Sequence, residues 1–214
     1  MIGEIQQALS LINFRIFLFS MVLFLVGYTL APLAYYKQWK ILLAYPLWIA
    51  RKLDKLTQKK WTPIVLFVFI LSINIISLFV DLLSGYVPGL PFFFAIWTGL
   101  NIGVVTYHTL EGRYYYLSLL NPVALLELPA SFVAFSLAIE INCVRLSCPY
   151  LSLEAHSFSV YFRTFLVVVI PLLILAGIIE TFAIRLAQKV EEEEQEKNGE
   201  HSTPSENHED KSQK

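Results

Sequence analysis

Glu127, Glu140 and Glu180 stand inside apolar runs where a charge is hard to keep. Glu127 and Glu140 belong to NPVALLELPASFVAFSLAIEI, and Glu180 lies in FLVVVIPLLILAGIIETFAI. Each run can cross a bilayer, whose hydrocarbon core takes about 20 apolar residues as helix. A carboxylate at that depth costs about 3 kcal/mol on insertion scales unless it is protonated, paired or turned into a packed interior. Such groups do one of two things. They hold helices together through hydrogen bonds, or they line a polar cavity for a proton, a cation or a solute.

Covalent chemistry finds little support. His108 and Glu111 share a helix face, but one histidine with one acid is not a metal site, and no His-Glu-x-x-His motif occurs. A Gly-x-Ser-x-Gly elbow, a cysteine–histidine pair within a span and a phosphate-cradling glycine loop are also missing from the sequence. We therefore expect a non-enzymatic chain with no catalytic residues, metal or cofactor. Nucleotide-driven work would need a separate ATPase subunit. Cys143 and Cys148, the only cysteines, could close a small loop in an oxidising compartment or remain two thiols near a helix end.

Composition sets the frame that must carry these acids. Of 214 residues, 56% are hydrophobic and 15% charged, with mean hydropathy +0.59. Soluble domains carry about 25% charged residues, so the excess of apolar side chains implies several membrane spans. The net charge of −1 conceals a basic body and an acidic tail. Residues 1–190 hold 13 Lys and Arg against 8 Asp and Glu, while residues 191–214 hold 3 against 9.

The expected architecture is an all-α polytopic membrane helix bundle of about five transmembrane helices. Residues 1–36 form a lead-in and a first, uncleaved span at about 16–36. Residues 37–61 are a basic segment in which seven Lys and Arg flank ILLAYPLWI, with Trp39, Trp48 and Trp61 along it. That patch is too short to cross and contains Pro46; tryptophan favours the headgroup zone, so an amphipathic interfacial helix is expected. Residues 62–189 form a four-helix membrane core, with spans at about 62–83, 92–110, 121–142 and 165–186. The tyrosine trio Tyr114–Tyr116 suits an interfacial girdle. Residues 190–214 have little to bury and read as a disordered acidic tail.

These spans place the polar groups. Asn74 and Asn101 fall near the middles of the second and third spans, His108 and Glu111 at the end of the third. Glu127 lies in the first half of the fourth and Glu180 in the last third of the fifth. Because consecutive spans alternate in direction, the ionisable groups gather toward one leaflet. Asn74, Asn101, His108, Glu127 and Glu180 are the candidate polar core. Gly99 and Gly103 form a small-xxx-small pair for close helix packing, and Ala130, Ala134 and Ala138 continue the same kind of seam beside Glu127. Apart from Asp81, no second set of buried ionisable groups leads to the other leaflet, which favours packing or partner docking over conduction.

Partners follow from the same features: the lipid bilayer, membrane or envelope proteins, and a second copy of the chain. Nucleic acid is not expected, since the tryptophans and leucines of the basic segment fit lipid better. Ten Lys and Arg gather on one side of the membrane against three on the other, which puts the N-terminus outside and the C-terminus in the cytoplasm.

The order of these pieces resembles the stage II sporulation protein M family of integral membrane proteins. The resemblance rests on Asn74, the turn from Gly85 to Pro91, and Gly99, Asn101 and Gly103. It continues with Glu127-Leu128-Pro129-Ala130 and Ala176-Gly177-Ile178-Ile179-Glu180. It implies a non-enzymatic scaffold or assembly component of an envelope-remodelling or other membrane complex, since the namesake works with peptidoglycan-hydrolysing partners. The alternative is a permease, or an accessory subunit of a membrane transporter, using the embedded glutamates.

Overall fold

The computed structural model describes residues 2–57, 61–148 and 156–200, and they form helices joined by turns, with no strand among them. The chain opens with α1 (Ile2–Ser10), a short helix ahead of the first long one. Asn13 starts α2 (Phe14–Tyr36) by accepting hydrogen bonds from the backbone N–H groups of Arg15 and Ile16 at 3.1 and 3.4 Å. After α3 (Lys40–Thr57) come α4 (Pro63–Ser84), with proline at its first position, and α5 (Leu90–Thr109). A 3₁₀ turn at Tyr115–Leu120 leads into α6 (Ala124–Arg145). The last long helix is built from α7 (Phe158–Thr164), a π-helical turn at Phe165–Val169, and α8 (Ile170–Glu200).

Five stretches among the described residues are long and apolar enough to cross a membrane: α2, α4, α5, α6 and Phe158–Val190. Their outward side chains, such as Ile64, Ile76 and Phe182, are largely uncovered, as lipid-facing residues are. The fifth span starts seven residues before the expected 165. Arg163, within the added stretch, keeps its guanidinium outward and meets Glu4 of the lead-in at 3.3 Å.

Pro171 explains the π turn. Proline has no N–H and its ring collides with the carbonyl four residues back, so the helix widens just before it. The Ile170 N–H accordingly reaches the Phe165 carbonyl, five residues away. At the far end, α8 continues through Glu200, so the first part of the expected disordered tail is helical. A formed helix needs no new nucleus, and the glutamates that follow Val190 are good helix residues. The rest of that expectation, residues 201–214, lies outside the described residues.

α6 is the hub, in contact with α2, α4, α5 and α8. Every residue from Ala130 to Cys143 is buried, including Ala130, Ala134 and Ala138. On one side of this hub, α2 and α5 touch backbone to backbone. A methyl group on Gly99 would collide with the Phe24 carbonyl, and one on Gly27 with the Ile96 carbonyl. Gly103 in turn packs on Ala31 and the Tyr115 hydroxyl. On the other side, α4 packs against α6 and α8 and only loosely against α5.

Two polar clasps fix the ends of this frame. Asn142 is buried in α6 and closes the α4–α5 turn, donating to the Gly85 and Val87 carbonyls at 3.1 and 2.8 Å and accepting from the Gly89 N–H at 3.3 Å. At the opposite end, Tyr28 and Tyr115 each donate to the other's backbone carbonyl, at 2.8 and 2.6 Å, with rings stacked 4.5 Å apart. The tyrosine trio is thus divided: Tyr114 and Tyr116 are exposed, as a girdle requires, whereas Tyr115 is core. Burial pushes the Tyr115 hydroxyl above its ordinary pKa, which keeps it a neutral donor.

The basic segment folds as the amphipathic α3. Leu43, Pro46 and Ala50 are buried, Ile41 faces outward, and Tyr45 and Trp48 are half-exposed. Lys52 sits 4.0 Å above the Trp48 ring and Lys37 5.9 Å from the Trp39 ring. The helix packs on α5, with the Tyr45 ring 6.3 Å from that of Trp97. Residues 58–60 of the expected segment lie outside the described residues.

Candidate intramembrane polar cavity

The start of α6 creates the site. The Asn121 side chain accepts from the Ala124 N–H at 2.9 Å, and Glu127 then falls in the first turn of the helix. The free N–H groups and dipole of a helix start favour an acidic side chain there. Glu127 Oε1 accepts from Asn74 Nδ2 of α4 at 2.7 Å. One turn on, Ser131 Oγ donates to the Glu127 carbonyl at 2.9 Å. Glu180 arrives from α8 and borders the same space, with no hydrogen-bond partner for its carboxylate among the described residues.

That space is a cavity of about 680 Å³ between α4, α5, α6 and α8. Glu127, Glu180 and Asn74 share it with Ser77, Thr98, Thr106, Ser118 and Asn121. It holds two carboxylates from helices far apart in sequence, ringed by hydroxyls and amides. Such a lining can accept from a cation or an N–H donor and can rearrange hydrogen bonds as a proton comes or goes. Among the described residues no group of three His, Cys, Asp or Glu could hold a metal ion.

The structure brings Asn74, Glu127 and Glu180 together and sends the other candidates elsewhere. His108 is exposed, its Nδ1 3.1 Å from the Tyr35 hydroxyl. Asn101 donates to the Trp97 carbonyl at 2.6 Å, outside the glutamate cavity. The reason is helix phase: seven residues separate Asn101 from His108 and set both on one face of α5, while Thr98, Ile102 and Thr106 occupy the cavity face. Glu140 is buried near the other end of α6, where Tyr161 donates to it at 3.4 Å. Cys143 and Cys148 are free thiols, the first buried and the second packed beside it.

A second cavity, of about 470 Å³, adjoins the first. Ser77, Thr98, Ile102, Val105 and Thr106 wall both. Its remaining lining comes from α3 and from the end of the α4–α5 crevice nearer their connecting turn, including Asp81. Asp81 is 6% exposed, and its carboxylate has no hydrogen-bond partner among the described residues. The sequence carried the sign of this: Asn74, Ser77 and Asp81, spaced three and four apart, line one face of α4.

Five apolar helices around a buried polar centre define a multi-pass α-helical membrane protein. Within that class, the family model described as Stage II sporulation protein M matches residues 16–183, nearly the whole bundle through Glu180. The chain belongs to this family. No curated protein and no solved structure matches it.

Proposed function

We propose that this chain is the membrane-embedded part of a permease, alone or as an accessory subunit, and that it binds a cationic or proton-coupled solute between Glu127 and Glu180. The single observation behind this reading is the cavity of about 680 Å³ bordered by both carboxylates. A packing role alone would leave such groups enclosed by protein, as Asn142 is. Intramembrane acids that face a cavity commonly mark ion or substrate paths. Asp81 in the adjoining cavity extends the acidic lining along α4, beyond what the sequence had promised. In this reading the chain carries out no covalent chemistry, and the N-terminus lies outside.

The test uses the full chain in liposomes. Proton flux is followed with a trapped pH dye, and uptake of methylammonium, sodium and potassium is measured under a pH gradient. The expected result is flux that falls about tenfold or more in Glu127→Gln and Glu180→Gln. Flux equal to that of protein-free vesicles in every arm overturns the reading.

One observation favours the scaffold reading as the second choice. α8 runs 31 residues, about 46 Å at the usual rise, which exceeds a bilayer core. Its far end carries the acidic run that follows Val190, a ready handle for a basic partner or for a second copy of the chain. Recovery of a stable envelope-protein partner that is lost on truncation at Val190 would favour this reading over transport.

A further inference from the structure

The crevice beneath α3 combines three features that the glutamate cavity lacks. Its acid, Asp81, is more than nine-tenths buried and has no hydrogen-bond partner among the described residues. Its walls include aromatic side chains: Tyr45 from α3 and Phe94 and Trp97 from α5. Trp97 is held in place by stacking on Phe93 at 5.8 Å, and it faces Tyr45 at 6.3 Å. Asn101 adds an amide whose nitrogen is occupied by the Trp97 carbonyl and whose Oδ1 is left without a partner. Asp81 and Asn101 thus bring two oxygen acceptors without a partner, a carboxylate and an amide, beside the Ser77 and Thr98 hydroxyls.

We infer that this crevice is a binding site for an organic ammonium group, seated against Asp81 and the aromatic faces of Trp97, Tyr45 and Phe94. A carboxylate with aromatic walls is what an alkylammonium needs: charge on one side, π faces for its weakly hydrated N–CH groups on the others. A bare metal ion is a poor fit, because sodium-like or calcium-like cations ask for six or so oxygen ligands, far more than an aromatic lining supplies. Since α3 is an amphipathic helix lying over the crevice, the ammonium can belong to an aminophospholipid headgroup or to a soluble amine. The wall shared with the glutamate cavity places this site next to Glu127 and Glu180. In naming this ligand class the inference rests on the permease reading.

The test measures binding and needs no transport. Purified full-length protein in a neutral maltoside detergent is titrated calorimetrically with four probes. Two carry the ammonium, short-chain phosphatidylethanolamine and hexyltrimethylammonium; two lack it, short-chain phosphatidylglycerol and hexanol. The expected result is binding of one or both ammonium probes, weakened about tenfold or more in Asp81→Asn and several-fold in Trp97→Leu. Binding of phosphatidylethanolamine alone assigns the site to a lipid headgroup, and binding of hexyltrimethylammonium alone assigns it to a soluble amine.

The inference is overturned if neither ammonium probe binds, if the probes that lack the ammonium bind equally well, or if both variants bind like the wild type. Should Asp81→Asn fail to fold, the Trp97→Leu arm decides, because that variant keeps the carboxylate and removes the aromatic face. A protein that binds ammonium at Asp81 but moves nothing refutes the permease reading alone. One whose flux depends on Glu127 without binding at Asp81 refutes this inference alone.

Discussion

α5 has two very different neighbours. Toward α2 it presents Gly99 and Gly103, and the two backbones meet with no room for a single extra carbon. Toward α4 it presents Thr98, Ile102 and Thr106, and the helices stand apart around two joined cavities. In lipid there is little hydrophobic drive between helices, so close van der Waals packing has to hold them. The α2–α5 seam supplies that packing, together with the Tyr28–Tyr115 clasp. The α4–α5 crevice gives it up, and α6 and the Asn142 clasp hold α4 in place instead. Rigidity and open space are thus assigned to separate faces of one helix.

The sharpest way to break this contrast is Gly99→Leu. The side chain would drive into the Phe24 carbonyl, and the expected loss is about 3 kcal/mol, or failure to fold. A thermal-melt series read by fluorescence-detected size exclusion measures it; a melt within a degree or two of the wild type would show that the seam is not close-packed. Asn142→Ala should cost somewhat less, about 2–3 kcal/mol. It removes all three hydrogen bonds to the α4–α5 turn and leaves the Gly85 carbonyl and the Gly89 N–H without a side-chain partner, while Val87 keeps the Leu90 N–H. The same melts, with protease nicking at that turn as a second readout, check it. The smallest effect is expected one residue from the largest. Thr98→Leu faces the cavities, so stability should stay within about 1 kcal/mol while the flux described above is blocked. If Thr98→Leu unfolds the protein as Gly99→Leu does, the two faces are not different in kind.

What could be read in the sequence divides along similar lines. Span number and approximate depth follow from apolar length, and the Gly99–Gly103 seam follows from small-residue spacing. Its partner was equally visible in Gly27 and Ala31, four apart on α2, but nothing local said which two helices would meet. Depth along a helix is legible, whereas direction around it depends on the neighbours. Glu127 and Glu180 do meet in one cavity, yet His108, at the same level, turns outward to Tyr35. Asp81 was passed over as a lone acid because its significance comes from α3, which folds back over the crevice. Tyr115 looked like its two neighbours until a residue far away in the chain, Tyr28, gave its hydroxyl a carbonyl to reach.

The widened turn at Phe165–Val169 takes up one residue more than a regular helix would over the same advance. It works like the slack in a wound spring, separating the angular setting above Pro171 from the setting below. The end at Arg163 can be anchored by the Glu4–Arg163 pair on whatever azimuth suits the lead-in, and the aim of Glu180 is decided independently by Leu173, which packs the segment after Pro171 against the hub.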